Sequence, residues 1–135
     1  MSKLIIGASR GIGLEAVRQL RERGDTVIAA VRSATPELEA TGAEIREGVD
    51  VTRHESLFGL AEALSGRALE WVLVVSGVMR GQRLGELDAE AVAGIREQFE
   101  TNALGPLMAA EALAPRLAEG GKLGIVTSRM GSIAD

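Results

Sequence analysis

The 135-residue chain has no cysteine, so it carries no disulfide and no thiolate site, and its one histidine cannot build a soft metal cage alone. No metal site is expected. Neither sign of charge dominates: 15 basic residues face 19 acidic ones, for a formal net charge of −4. The basic residues are scattered rather than gathered in a stripe, which argues against nucleic acid as a partner. Long apolar runs are missing too. The N-terminal MSKLIIGAS is too short for a secretory signal, and the longest later run, WVLVVSGVM, falls far below the ~20 residues of a membrane span. The expectation is a cytoplasmic protein with no membrane partner. Repeats, linkers and low-complexity segments are also absent, so residues 1–135 are expected to form one domain, and 46% apolar residues suffice for a sizeable core.

What is present is an alternation of two periodicities. Short β-branched runs at KLIIGAS, TVIAAVR, AEIREGVDV, LEWVLVVSG and GKLGIVTS read as strands, and helical patterns fill the gaps. The first helix, from about Gly13 to Arg23, puts Ala16, Val17 and Leu20 on one face and Arg18 and Arg21 on the other, and ends at Gly24. TRHE at 52–55 has the form of a capping box, so Thr52 is expected to cap a helix running to Leu64, after which Gly66 releases the chain. A third helical stretch spans 88–118, and Pro106 should kink or split it after Asn102. Continuous Val/Ile/Leu strands joined by helical crossovers predict an α/β fold. The expected form is a doubly wound parallel sheet of Rossmann type, in three α/β/α layers.

The segment IIGASRGIG places glycines 7, 11 and 13 where the first strand hands over to the first helix. This spacing offers a positive-φ residue at the turn, a residue without a side chain where a phosphate could approach, and a slim residue where helix meets sheet. The helix N-terminus adds free N–H groups and a positive dipole end. Glycine-rich turns of this kind also arise for steric reasons alone, but at the first strand of an alternating chain they favour nucleotide binding. His54, lone and at a helix start, reads as a solvated residue rather than a catalyst. Met79, Met108 and Met130 read as packing residues, and Trp71 as the start of the fourth strand, packed against a helix.

The glycine spacing is Gly-x-x-x-Gly-x-Gly, and here the sequence resembles the short-chain dehydrogenase/reductase family. GASRGIG, VDV at 49–51, VVSGV at 74–78, FETNALGPL at 99–107 and GIVTSRMGSI at 124–133 fall in the order of that family's markers. The serine segment looks most like that of short carbonyl-reductase-like members. By that resemblance, Gly7, Ser9, Arg10, Gly11, Ile12 and Gly13 would form the phosphate loop. Asp50 would accept from the adenine amino group with Val51 packed on the ring, and Ser76 and Gly77 would lie beneath the ribose. Asn102 would bend its helix and hold a water, and Ser128 would orient the substrate carbonyl. Each has a plainer reading: Asp50 as a strand end, Asn102 as a helix irregularity before Gly105 and Pro106, Ser128 as a turn toward Gly131. The family usually has Asn-Asn-Ala-Gly where this chain has VVSG.

The second strand ends in Val31 with no acid, and Arg32 follows, so Arg10 and Arg32 are expected to favour NADP over NAD. The family's Tyr-x-x-x-Lys acid has no counterpart, because the chain contains no tyrosine. The resemblance therefore implies an NAD(P)-dependent oxidoreductase acting on a carbonyl or alcohol. The present residues would be its cofactor-binding half, cut after about the fifth strand and inactive alone. A non-catalytic NADP-binding sensor or assembly module is the alternative. Ala91, Val92, Ile95, Phe99, Leu107, Ala110 and Leu113, on the helices of residues 88–118, suggest a homodimer.

Overall fold

The structure, a computed structural model, describes residues 1–133 apart from the Met130 side chain. The packing expected of Met130 therefore lies outside the described residues. Five parallel strands, β1 (Ser2–Ile6), β2 (Val27–Ala30), β3 (Glu44–Arg46), β4 (Leu69–Val74) and β5 (Leu117–Ile125), form one sheet in the order β3-β2-β1-β4-β5. The helices are α1 (Gly11–Glu22), α2 (Pro36–Glu39), α3 (His54–Ala63), α4 (Ala89–Phe99) and α5 (Gly105–Leu113). Central β1 is buried along all five residues and β2 along all four, because helices cover both faces and leave no solvent side for alternation. Leu4, Ile6, Ile28 and Val72 pack beneath Leu57 of α3 and Leu113 of α5. Ile5, Val27 and Ala29 pack beneath Leu14, Val17 and Leu20 of α1 and Leu38 of α2. The chain leaves β1 for β2 on one side and later returns to β4 on the other, so a crevice opens beyond the carboxyl ends of β1 and β4.

Several local expectations are corrected. α2 was not evident from periodicity, being only four residues long; Thr35 caps it by accepting from the Leu38 N–H at 3.3 Å, with Pro36 at its first position. Thr52 is not a helix cap: Arg53 holds that position without a side-chain bond, because Asp50 has captured the Thr52 hydroxyl. The helical stretch after Asp88 does divide into two pieces around Asn102 as expected, but the division is a π-helical turn, Glu100–Leu104, between α4 and α5 rather than a break in the chain of helical turns. It ends in a 3-10 turn at Ala114–Arg116, and residues 117 and 118 already belong to β5.

Trp71 lies within β4 but is 36% exposed, and its partner is the Lys3 ammonium, 4.9 Å from the ring centroid, rather than a helix. Lys3 also bonds Asp25 at 2.6 Å and lies 3.3 Å from Glu70, so its charge near the strand starts is matched. Met108 packs on the core as expected, whereas Met79 is 85% exposed. His54 opens α3 half-buried rather than solvated, and its Nε2 is shut off from solvent without a hydrogen-bond partner among the described residues. Leu113 is fully buried in the core and is not part of an exposed helix face.

Candidate cofactor cleft

The crevice has a volume of about 830 Å³. It is lined by Gly7, Ser9, Arg10, Gly11, Ile12, Arg32, Asp50, Val51, Ser76, Gly77, Asn102 and Ser128, which is every site residue singled out from the sequence except Gly13. They meet because strands of one direction end together. A shallower depression of about 510 Å³ between α1 and α2 has no comparable set: of its two arginines, Arg21 is committed to the carbonyls of Thr41 and Asp25.

The three loop glycines differ in what they do. Gly7 leaves β1 at φ +89°, and a Cβ there would stand 1.9 Å from the Val75 carbonyl oxygen, so β1 and β4 can close together only over glycine. Gly13 lies inside α1, where a Cβ would meet the Gly7 carbonyl oxygen at 2.1 Å. That contact puts Gly13 beneath the loop instead of in the cleft. A Cβ on Gly11, at φ +58°, would meet nothing within 4 Å. Packing thus accounts for Gly7 and Gly13, while Gly11 keeps an open approach to the start of α1. That helix has twelve residues, no side-chain cap and no acid in its first turn, so its N-terminal N–H groups and dipole are available to an anion. The donor set fits a dinucleotide pyrophosphate. The loop is tethered from behind by the Thr35 hydroxyl, which donates to the Ser9 carbonyl at 3.0 Å.

Across the cleft, Asp50 is held from three sides. Its Oδ1 accepts from the Thr52 N–H at 2.9 Å and the Thr52 hydroxyl at 2.7 Å. The Ser56 hydroxyl accepts from the Asp50 N–H at 2.9 Å. Partial burial pushes the Asp50 carboxyl up, but the two Thr52 bonds and the charges of Arg32 and Arg53 outweigh it and hold the group below the usual aspartate value. Asp50 is therefore ionised at neutral pH, with Oδ1 occupied and Oδ2 left to accept. Val51 is 8% exposed and packs against Gly105, where a Cβ would lie 2.9 Å from its side chain, so it shows the cleft only an edge.

At the other end, the Ser76 hydroxyl donates to the Thr101 carbonyl at 3.4 Å. The Asn102 amide spans the segment after β4: its Nδ2 donates to the Val78 carbonyl at 2.7 Å and its Oδ1 accepts from the Val78 N–H at 2.8 Å. Pro106 has no N–H, so it cannot make the α-helical bond to the Asn102 carbonyl. Ser128 follows β5 on the cleft wall, and its carbonyl accepts from the Gly131 N–H at 2.9 Å, so the turn reading holds for its backbone. Sequence reasoning missed Thr35, Thr52, Ser56 and Gln98 as supports. Of these Thr35 had a local signal in the Thr-Pro-Glu-Leu cap pattern and Thr52 in the Asp50-Val51-Thr52 turn pattern, whereas Ser56 and Gln98 had none.

Residues 3–134 match the family model for short chain dehydrogenase. The 1-hydroxy-2-glutathionyl-2-methyl-3-butene dehydrogenase of Rhodococcus sp. (strain AD45) is 47% identical over 134 residues, covering 98% of this chain and 58% of that protein. A carbonyl reductase from Pseudomonas aeruginosa PAO1, solved in complex with NADP, superposes with a TM-score of 0.86 at 34% identity, covering 98% of this chain and 63% of its own. A Burkholderia multivorans structure with bound NADP gives a TM-score of 0.88 at 32% identity, over 99% and 61% of the two chains. The chain belongs to the short-chain dehydrogenase family and has its Rossmann-type fold. It spans about three fifths of the length of these relatives.

Proposed function

We propose that these residues are the NADP-binding portion of an oxidoreductase that moves a hydride between nicotinamide and a carbonyl or alcohol carbon. The observation that carries this reading is the single cleft in which an uncapped helix N-terminus, two arginines, an oriented aspartate and a serine face one another. The NADP-bound family members and the dehydrogenase and reductase names of the relatives support it. The nicotinamide ring would supply the hydride chemistry. In this chain, the N–H groups at the start of α1 bind the pyrophosphate, and Arg10 and Arg32 take the 2′-phosphate. Asp50 accepts from the adenine amino group, and the Ser128 hydroxyl donates to the substrate oxygen and orients it. A cytoplasmic, single-domain setting completes the reading, and no helix among the described residues is long and apolar enough to cross a membrane.

Titration of NADPH into the purified chain, read by nicotinamide fluorescence, tests the cofactor assignment; absence of saturable binding overturns it. With no tyrosine in the sequence to donate a proton, residues 1–135 alone are expected to turn over no aldehyde or ketone even with NADPH bound. Turnover above a buffer control refutes that expectation. Self-association is a further expectation, because Val92, Ile95 and Phe99 on α4 are 40%, 43% and 59% exposed and Leu107 on α5 is 62% exposed. Light scattering should give twice the monomer mass at high concentration, and Phe99→Asp should return the monomer. A mass that stays monomeric over a wide concentration range counts against it.

A further inference from the structure

The segment between β4 and α4 has no regular secondary structure, yet the cleft wall at Val78 and Met79 is built from it. We propose that Gln98 and Asn102 form a two-amide clasp that holds residues 78–80 as a strand-like edge. Gln98 is thereby a positioning residue for the nicotinamide and substrate end of the cleft; this last step rests on the cofactor reading above.

The geometry is reciprocal at two points. Asn102 both accepts from the Val78 N–H and donates to the Val78 carbonyl, at 2.8 and 2.7 Å. Gln98 repeats the pattern two residues on: its Oε1 accepts from the Arg80 N–H at 3.0 Å and its Nε2 donates to the Arg80 carbonyl at 3.1 Å. One carboxamide reaches both polar groups of a residue only if they point the same way, which is the extended conformation. The spacings agree as well. Residues four apart on an α-helix rise about 6 Å, slightly less where the π-helical turn takes over at Glu100, and residues two apart on an extended chain rise about 6.6 Å. A helix face carrying amides one turn apart can therefore mimic a neighbouring strand for alternate residues. Side chains lock the same register, since the Arg80 guanidinium holds Glu97 through Nε and NH2, each at 2.9 Å, and Gln98 Nε2 also lies 3.3 Å from Gln82 Oε1. Between the two pins, Met79 must turn its own N–H and carbonyl away from the helix.

The test is site-resolved amide exchange on the purified chain, combined with nucleotide titration. In Gln98→Met, which keeps the length and removes both bonds, exchange at Arg80 should quicken by about tenfold or more while Val78 changes less. In Gln98→Glu, which keeps the acceptor and loses the donor, Arg80 should retain part of its protection. Affinity for NADPH should fall several-fold in Gln98→Met, whereas affinity for 2′,5′-ADP, the adenosine half alone, should stay within about twofold. Arg96→Ala, on the same helix but off the clasp, should change neither. Unaltered Arg80 exchange in Gln98→Met overturns the clasp. Equal losses for NADPH and 2′,5′-ADP overturn the positioning role. Wild-type chain that binds neither nucleotide overturns the cofactor reading, and the exchange result still decides the clasp.

Discussion

Gly7→Ala is expected to lower the unfolding free energy by more than about 4 kcal/mol, a large part of the roughly 5–15 kcal/mol that holds a domain of this size. The new methyl group would sit 1.9 Å from the Val75 carbonyl oxygen and 2.8 Å from its carbon. Backbone cannot step aside there, because the Val75 N–H is bonded to the Ile6 carbonyl at 2.8 Å and the Gly7 N–H to the Ala30 carbonyl at 2.9 Å. Relief requires β1 and β4 to part, and that pair anchors the middle of the sheet. Gly24→Ala is the matched control: φ there is +86°, close to the +89° of Gly7, but a Cβ would meet nothing within 4 Å. It should cost only the left-handed backbone penalty of about 1–2 kcal/mol. Urea unfolding followed by circular dichroism separates the two contributions. Similar midpoints for both variants would show that the close approach of β1 and β4 can relax, against the crowding argument.

The same contrast explains what could be read from the sequence. Glycine spacing is a local signal, and Gly7, Gly11 and Gly13 announced a strand-to-helix turn before any neighbour was known. Buried apolar runs announced parallel strands for the same reason, and parallel strands by themselves bring Gly11, Asp50, Ser76 and Ser128 to one edge. Thr52 misled because two local rules competed: TRHE reads as a capping box, yet Asp50 two residues earlier can form a turn with the Thr52 N–H and hydroxyl, and it does. The site gains by the exchange, since the same bonds orient Asp50. Trp71 misled because a helix was expected to cover its ring, whereas the ring stays 36% exposed and takes the ammonium of the buried Lys3 on the adjacent strand. Gln98 had no local pattern at all. Its partner Arg80 is 18 residues away in sequence, and nothing at position 98 says which backbone will arrive.

Cofactor choice is the other large effect, with NADP expected to bind about 10- to 100-fold more tightly than NAD, which corresponds to about 1.4 to 2.7 kcal/mol. In dinucleotide folds an acid at the end of the second strand accepts from the ribose 2′-hydroxyl and repels a 2′-phosphate. Here β2 ends at Ala30, Val31 is buried, and Arg32 is the first exposed side chain beyond it. Arg10 occupies the position before α1 with extended backbone and no side-chain bond to the helix, and lines the same cleft. Two guanidinium groups can meet a dianionic phosphate with charge-assisted forks. Asp50 moderates this, since Arg32 is close enough to help lower its carboxyl. The gain therefore belongs at the lower end of the range for Arg32 and depends on both arginines for the upper end. Arg10→Ala and Arg32→Ala should each weaken NADP by about tenfold and leave NAD within about threefold, and added salt should narrow the wild-type preference. Titration of both cofactors at fixed ionic strength decides it: equal wild-type affinities, or single variants that keep the full preference, would remove the arginine pair as its cause.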